Sequence, residues 1–337
     1  MYYWCAASSF FVNELCIKPI SGAIFGTGTN AAYIEDLANI KKLAGTPPAA
    51  MGGQMIVNTE WGAFDNTVSF RNFTTFSYAI MFTTQKTILP RTPYDNKLDR
   101  ESSNPNLQIF EKLISAMYIG EIARNIITFL IDHSPPLLFD GFSPPMLNVQ
   151  YGFDAEYMSD IEAAHSLDGV KQVLVDRLDF PFQAVSDQDA EIVKWVCIQV
   201  ATRAAKLSAC AIAAILVHCG YAQLGSGLSP PKDETKVVVG VEGKCVILLY
   251  VCVYPVHPHF CPSLVRFYTD FYPRLRKHLG TIIGSEIEKR LDIRMPRDPS
   301  MVGGMTVVVH FTSSSLTWRY SNSRRVCVGG IKEMRSC

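Results

Sequence analysis

Three short stretches carry residue types that could act on a ligand. The first is Gly26-Thr27-Gly28-Thr29-Asn30, set between the apolar runs Ala23-Ile24-Phe25 and Ala31-Ala32-Tyr33-Ile34. One strand entering and another leaving predict a hairpin, whose glycines can take positive φ and whose N–H groups and threonine hydroxyls can face an anion. Such a turn suits a phosphate. The second is Met55-Ile56-Val57-Asn58, a predicted strand that delivers Glu60 just ahead of Gly62. That arrangement presents a carboxylate to a cleft, although many glutamates so placed are only solvated. The third is Gln108, Glu111 and Ser115, three and four residues apart on a predicted helix and so able to reach one ligand. A solvated helix face is the competing reading.

The elements that must position these residues mix strands and helices. Ser103-Asn104-Pro105 reads as a helix start, with Phe110, Leu113, Ile114, Met117, Ile122, Ile126 and Ile127 at helical spacing behind it. Residues 132–185 carry Pro135-Pro136 and Pro144-Pro145, which predict loops and short helices. A capping box over Ser186 to Asp189 opens a pattern that stays helical to His218-Cys219 and stops at Gly220; Thr202 lies in its middle. Strands are predicted over Thr235 to Gly243 and Leu291 to Met295, and a helix over Pro262 to Gly280 with a kink at Pro273. Together these imply an α/β architecture with a nucleotide-type cleft.

Composition narrows the function classes. Lys plus Arg and Asp plus Glu both number 31 in 337 residues, so no basic face is implied and nucleic acid is not an expected partner. Ten cysteines form no CxxC pair and sit mostly in apolar company, as reduced, buried thiols of a cytoplasmic protein would. Met1-Tyr2-Tyr3-Trp4 lacks the positive start of a signal peptide. The apolar run from Cys245 to Val256 is shorter than the roughly 20 residues a bilayer span needs, so a buried strand is the expectation. Cys252, His257, His259 and Cys261 have zinc-ligand chemistry but match no familiar zinc spacing, and no metal site is expected from them.

Five ordered stretches resemble the hexokinase family, its fungal members above all. They are FGTGTNAAY at 25–33, VNTEWGAFDN at 57–66, LPRTPYDNKLDRESSNPNLQIFEKLISAMYIGEIAR at 89–124, VSDQDAEIVKWVCIQVATRAAKLSACAIAAIL at 185–216 and VVVGVEG at 237–243. The resemblance implies an actin-like, ribonuclease-H-like ATPase fold with a mixed sheet and flanking helices, here the large lobe, acting with ATP and Mg2+ on a hexose such as glucose. It also implies that Gly26, Thr27 and Gly28 lie against the nucleotide's phosphates, and that Asn30, Glu60 and Glu111, with Gln108 near, bind sugar hydroxyls. Thr202 and the stretch with Gly240, Glu242 and Gly243 match positions bordering the adenosine, and Ser300 lies in a matching turn.

The sequence also departs from the family pattern. The family's general base is an aspartate in an Asn-Asp-Thr-Val-Gly stretch, and no Asn-Asp-Thr occurs here. By that resemblance residues 1–19 are the remnant of an upstream segment, residues 20–305 the large domain, and the chain begins just past its catalytic residue. An inactive, hexose-binding or regulatory protein is therefore the alternative to an enzyme. Residues 67–88 and 245–256 interrupt the family pattern, and 306–337 replaces an expected final helix; translated introns or gene-model errors are the expectation, with a lineage-specific surface hairpin as the alternative. Where the family reads Asp-Gly-Ser-Gly, this chain has Asp298-Pro299-Ser300-Met301, which predicts weakened ATP binding because proline removes an N–H and methionine adds bulk.

Overall fold

The computed structural model describes residues 6–8, 21–45, 52–66, 88–225, 237–242 and 264–294, with short strand stretches between 306 and 326. Its strands are, in chain order, β1 (Ala6–Ser8), β2 (Ser21–Phe25), β3 (Thr29–Asp36), β4 (Gln54–Asn58), β5 (Val237–Glu242), β6 (Leu291–Arg294) and β7 (Thr306–Val308), with shorter pairs beyond. Five of them make the central sheet in the order β4-β3-β2-β5-β6. The hairpin β2–β3 and the pair β3–β4 are antiparallel, whereas β2–β5 and β5–β6 are parallel. A parallel pair needs a long crossover, and the chain between β3 and β5 supplies most of the helices. The expected mixed sheet with flanking helices is what forms; β1 stands outside it, paired antiparallel with β7.

The helices are α1 (Pro93–Glu101), α2 (Ile109–Ile114), α3 (Ala116–Ile131), α4 (Pro145–Asn148), α5 (Ala155–Ala163), α6 (Leu167–Leu178), α7 (Asp187–His218), α8 (Leu264–Phe267), α9 (Phe271–Ile283) and α10 (Ser285–Arg290). The capping box that opens α7 is formed in both directions, by Asp189 N–H to Ser186 Oγ and by Ser186 N–H to Asp189 Oδ2. Gly220, at φ +77°, ends it. Ala201, Ala204, Ala205, Ser208, Ala209 and Ala213 are buried along its length. These small side chains let α9 lie close, with Phe271, Leu275, Leu279 and Ile283 turned inward at helical spacing. By length and composition α7 could cross a membrane, yet 61% of its most apolar window is buried inside the protein.

Two expectations fail here for stated reasons. The single helix from Pro105 is not formed: Asn106 and Gln108 take positive φ, α2 is short, and Ser115 is extended before α3 begins. The Asp99 carboxylate captures the Asn106 N–H at 3.0 Å and the Lys112 ammonium at 2.6 Å, folding the loop back onto α1 instead of into a first helical turn. Nor does Pro273 kink a helix. It sits in the first turn of α9, where a missing N–H costs no intrahelical bond, and the break comes at Asp270, in the left-handed region.

The cysteine expectation holds only in part. Among the described residues Cys197 is buried and Cys219 half-buried, but Cys210 is exposed. Burial pushes the Cys197 thiol well up and, with Glu35 nearby, raises Cys219 to about 11. Residues 67–87, the run 245–256, the cluster of Cys252, His257, His259 and Cys261, and the turn 298–301 lie outside the described residues. What brackets the first of these is clear: the Asp65 carboxylate accepts the N–H groups of Ile88 and Leu89, each at 3.1 Å.

Candidate functional site

The β2–β3 hairpin turns through Gly26, Thr27 and Gly28, with Phe25 paired to Thr29 across it. The positive φ expected of its glycines is absent: neither Gly26 nor Gly28 is among the residues in that region. The turn is shaped by its contacts instead. Gly26 N–H reaches Gly28 O at 3.0 Å, and Gly26 O accepts the N–H of Ala116, the first residue of α3, at 2.8 Å. At Gly28 the requirement for glycine is space, since a Cβ there would lie 2.8 Å from Glu111 Oε2. The same carboxylate oxygen accepts the Thr29 N–H at 3.0 Å, so the glycine turn and Glu111 are in direct contact.

Glu60 follows β4 in the left-handed region, at φ 49° and ψ 36°. That turn swings its carboxylate back toward the strand just left. Glu60 Oε1 accepts from Asn58 Nδ2 at 2.6 Å and lies 3.5 Å from Asn30 Nδ2. Trp61 fastens the turn to the hairpin, its indole N–H donating to Thr29 Oγ1 at 2.9 Å while that hydroxyl donates to Ile24 O. A Cβ at Gly62 would sit 2.9 Å from Gln108 Oε1 and 3.3 Å from Glu111 Cβ, so these two side chains close over a glycine that has no room for more.

Asn30, Glu60, Gln108 and Glu111 are thus brought together. Ser115 is not part of the group: it is fully buried at the start of α3, and its hydroxyl has no partner among the described residues. Gln108 Oε1 is likewise buried with no partner among the described residues. Burial raises the pKa of Glu111 and the Glu60 charge adds to this, while the Thr29 N–H and Lys112 oppose it. Lys112 is itself lowered by burial and held by Asp99. Its ammonium also donates to Asn104 O at 2.7 Å, tying down the loop that carries Gln108.

The other expected site residues are more scattered. Thr202 is half-buried in the middle of α7, with no hydrogen bond to the cluster among the described residues. Its neighbour Arg203 grips Asp95 with two bonds of 2.6 and 2.7 Å. Gly240 is buried in β5 between Gly22 and Arg294, and Glu242 pairs with Ile24 through the backbone. Gly243 and Ser300 lie outside the described residues. Sequence reasoning gave no role to Asn58, Asp99 or Lys112, and saw Gly62 only as the glycine after Glu60; a lone Asn or a buried Lys–Asp pair has no sequence pattern of its own.

The fold and this cluster define a class of protein, the α/β proteins of the actin-like ATPase fold. A family model described as hexokinase matches residues 20–80 and 79–250. A glucokinase of Aspergillus niger is 32% identical over 303 residues, 86% of this chain and 52% of that protein. A hexokinase of Schistosoma mansoni is 32% identical over 257 residues, 76% of this chain and 46% of that protein. Among solved structures, the Schistosoma mansoni hexokinase complexed with glucose superposes with a TM-score of 0.59 at 29% identity, covering 82% of this chain and 50% of the other. The chain belongs to the hexokinase family. It spans about half the length of the curated relatives it matches.

Proposed function

We propose that this chain carries the sugar-binding wall of an ATP-dependent hexose 6-phosphotransferase that converts glucose or a similar hexose and Mg-ATP into hexose 6-phosphate and ADP. One observation supports this most: Asn30, Glu60, Gln108 and Glu111, from separate segments, converge beside a glycine turn. Their chemistry suits vicinal hydroxyls, because a carboxylate accepts from two at once and an amide both donates and accepts. Gln108 Oε1, buried with no partner among the described residues, suits a ligand hydroxyl. That a related hexokinase was solved with glucose adds to the reading.

Gly26, Thr27 and Gly28 would meet the nucleotide's phosphates, and Thr202 with Gly240, Glu242 and Gly243 would border its adenosine, with Ser300 beyond. The turn fits that group: Thr27 and Gly28 are partly exposed, and a hydroxyl with backbone N–H groups is an anion-binding set. Among the described residues no group of three or more His, Cys, Asp and Glu gathers. A nucleotide-bound Mg2+ needs none, since its ligands are phosphates and waters with one or two carboxylates. When bound, Mg-ATP supplies the phosphoryl group, and Mg2+ neutralises the charge that develops on it. A cytoplasmic location, without nucleic acid or a membrane as partner, fits the balanced charge and the free cysteines.

A second reading is hexose binding without turnover, since the four converging side chains suit a sugar by themselves. Turnover would further need a general base, worth about 10² to 10⁴ in rate. The test is a coupled assay of hexose 6-phosphate formation with Mg-ATP, run beside a calorimetric titration with glucose. Binding with turnover supports the enzyme, binding alone supports the second reading, and a folded protein that does neither overturns both.

A further inference from the structure

Asn58 closes β4 with its side chain between two of the proposed sugar ligands. It accepts from Asn30 Nδ2 at 2.8 Å and donates from its own Nδ2 to Glu60 Oε1 at 2.6 Å. On the far side, Asn30 Oδ1 accepts the Ala31 N–H at 2.8 Å and the Thr59 hydroxyl at 3.1 Å. A backbone N–H can only donate, so Ala31 decides which end of the Asn30 amide is oxygen. Asn30 must then present its NH2 to Asn58, Asn58 must meet it with oxygen, and the Asn58 NH2 is left to face Glu60. The direction of the whole relay is set by the backbone, and it ends on Glu60 Oε1.

Resting on the hexose reading above, we propose that Asn58 is a positioning and specificity-determining residue. It holds Glu60 as an oriented acceptor, so that this corner of the site selects a ligand hydroxyl over groups, such as fluorine, that cannot donate. A hydrogen bond of this kind fixes the direction in which the carboxylate points.

The test compares thermal unfolding of the whole chain and of its variants between about pH 5 and 8, with and without glucose. Asn58→Asp keeps the shape but replaces the donor facing Glu60 with a second carboxylate. Two carboxylates that close share a proton, so the pair's folded pKa rises above its unfolded value. Stability is then present at low pH and lost as pH rises, and without sugar N58D is expected to fall further behind the wild type at each higher pH. Asn58→Leu, carrying no charge, should run parallel to the wild type. The other charged groups about Glu60, Glu111 and behind it Lys112, are the same in every variant. Adding Glu60→Gln to N58D removes the repulsion and should restore the parallel course, which also covers the case in which N58D alone does not fold.

With glucose, N58L should bind about 10- to 100-fold more weakly than the wild type, and N58D should regain affinity as the pH falls. In the wild type a sugar with fluorine in place of the hydroxyl facing Glu60 should lose affinity, and in N58L that penalty should shrink. A sugar-free N58D curve parallel to the wild type would overturn the relay. If the wild type itself shows no shift with glucose, the hexose reading fails, while the sugar-free comparison still decides the role of Asn58.

Discussion

The Glu111 carboxyl has neighbours that pull its proton affinity in opposite directions. Burial comes first and raises its pKa, the Thr29 N–H lowers it, Glu60 raises it and Lys112 lowers it, with the net upward. Only the ionised form is a charged acceptor at both oxygens, so glucose affinity should fall as pH drops through this raised value, above the ordinary glutamate figure of about 4.3. Calorimetric titration across acid pH checks this: Glu111→Gln should bind weakly and lose that acid limb, and a limb unchanged in E111Q would assign it elsewhere. Gly28 gives a second prediction. Because a Cβ there would lie 2.8 Å from Glu111 Oε2, Gly28→Ala must displace the carboxylate. Glucose affinity should drop about tenfold while the melting temperature barely moves; unaltered affinity would show that the carboxylate yields at no cost.

Among the elements, α2 and α3 matter most for the site, and each is held by a buried charge. Lys112 and Asp99, with side chains 3% and 5% exposed, join α2 to α1 at 2.6 Å. Removing one partner strands the other in a low-dielectric place, so Lys112→Met should cost about 3 kcal/mol in urea unfolding and weaken glucose binding as the loop carrying Gln108 comes loose. On α3, Glu121 and Arg124 pair at 2.6 Å and also bind Tyr151 N–H and Leu147 O, drawing the 145–155 stretch against the helix. Gly120 faces that stretch so closely that a Cβ would lie 2.2 Å from Phe153 O. Gly120→Ala is expected to destabilise by about 2 kcal/mol or more, since backbone on both sides must move. A loss below about 0.5 kcal/mol in the same measurement would mean the stretch gives way freely.

At the scale of the molecule, α7 acts as a spine. Its Lys194 donates to Ala164 O, its Arg203 grips Asp95 of α1, and its last residue, His218, bonds Glu35 of β3. One end of the site's framework is thus tied to the other through a single helix. The described residues on either side of the segment 67–87 also meet, the Asp65 carboxylate holding the N–H groups of Ile88 and Leu89 at 3.1 Å. Replacing residues 67–87 with a short Gly-Ser linker should leave the unfolding free energy within about 1 kcal/mol, because loop closure depends only weakly on length. A large loss would show that the segment packs on the core, and would count against its being foreign to the fold.

Much of this was legible in the residues. The hairpin about Gly26, the strand before Glu60, the capped helix from Ser186 and its stop at Gly220 all follow from local chemistry: alternation, a side chain that satisfies the first N–H groups, a glycine that accepts positive φ. Asn30, Glu60, Gln108 and Glu111 could be named one by one. Their convergence could not be read, because it depends on Gln108 turning left-handed, beside a loop that Asp99 holds through Asn106 and Lys112, and on α2 breaking at Ser115, where Gly26 O takes the Ala116 N–H. The need for glycine at position 28 likewise comes from a carboxylate 83 residues away and not from its own φ. Local propensity sets which elements form; only long-range burial and pairing decide where they break, and those breaks are what aim the side chains at one another.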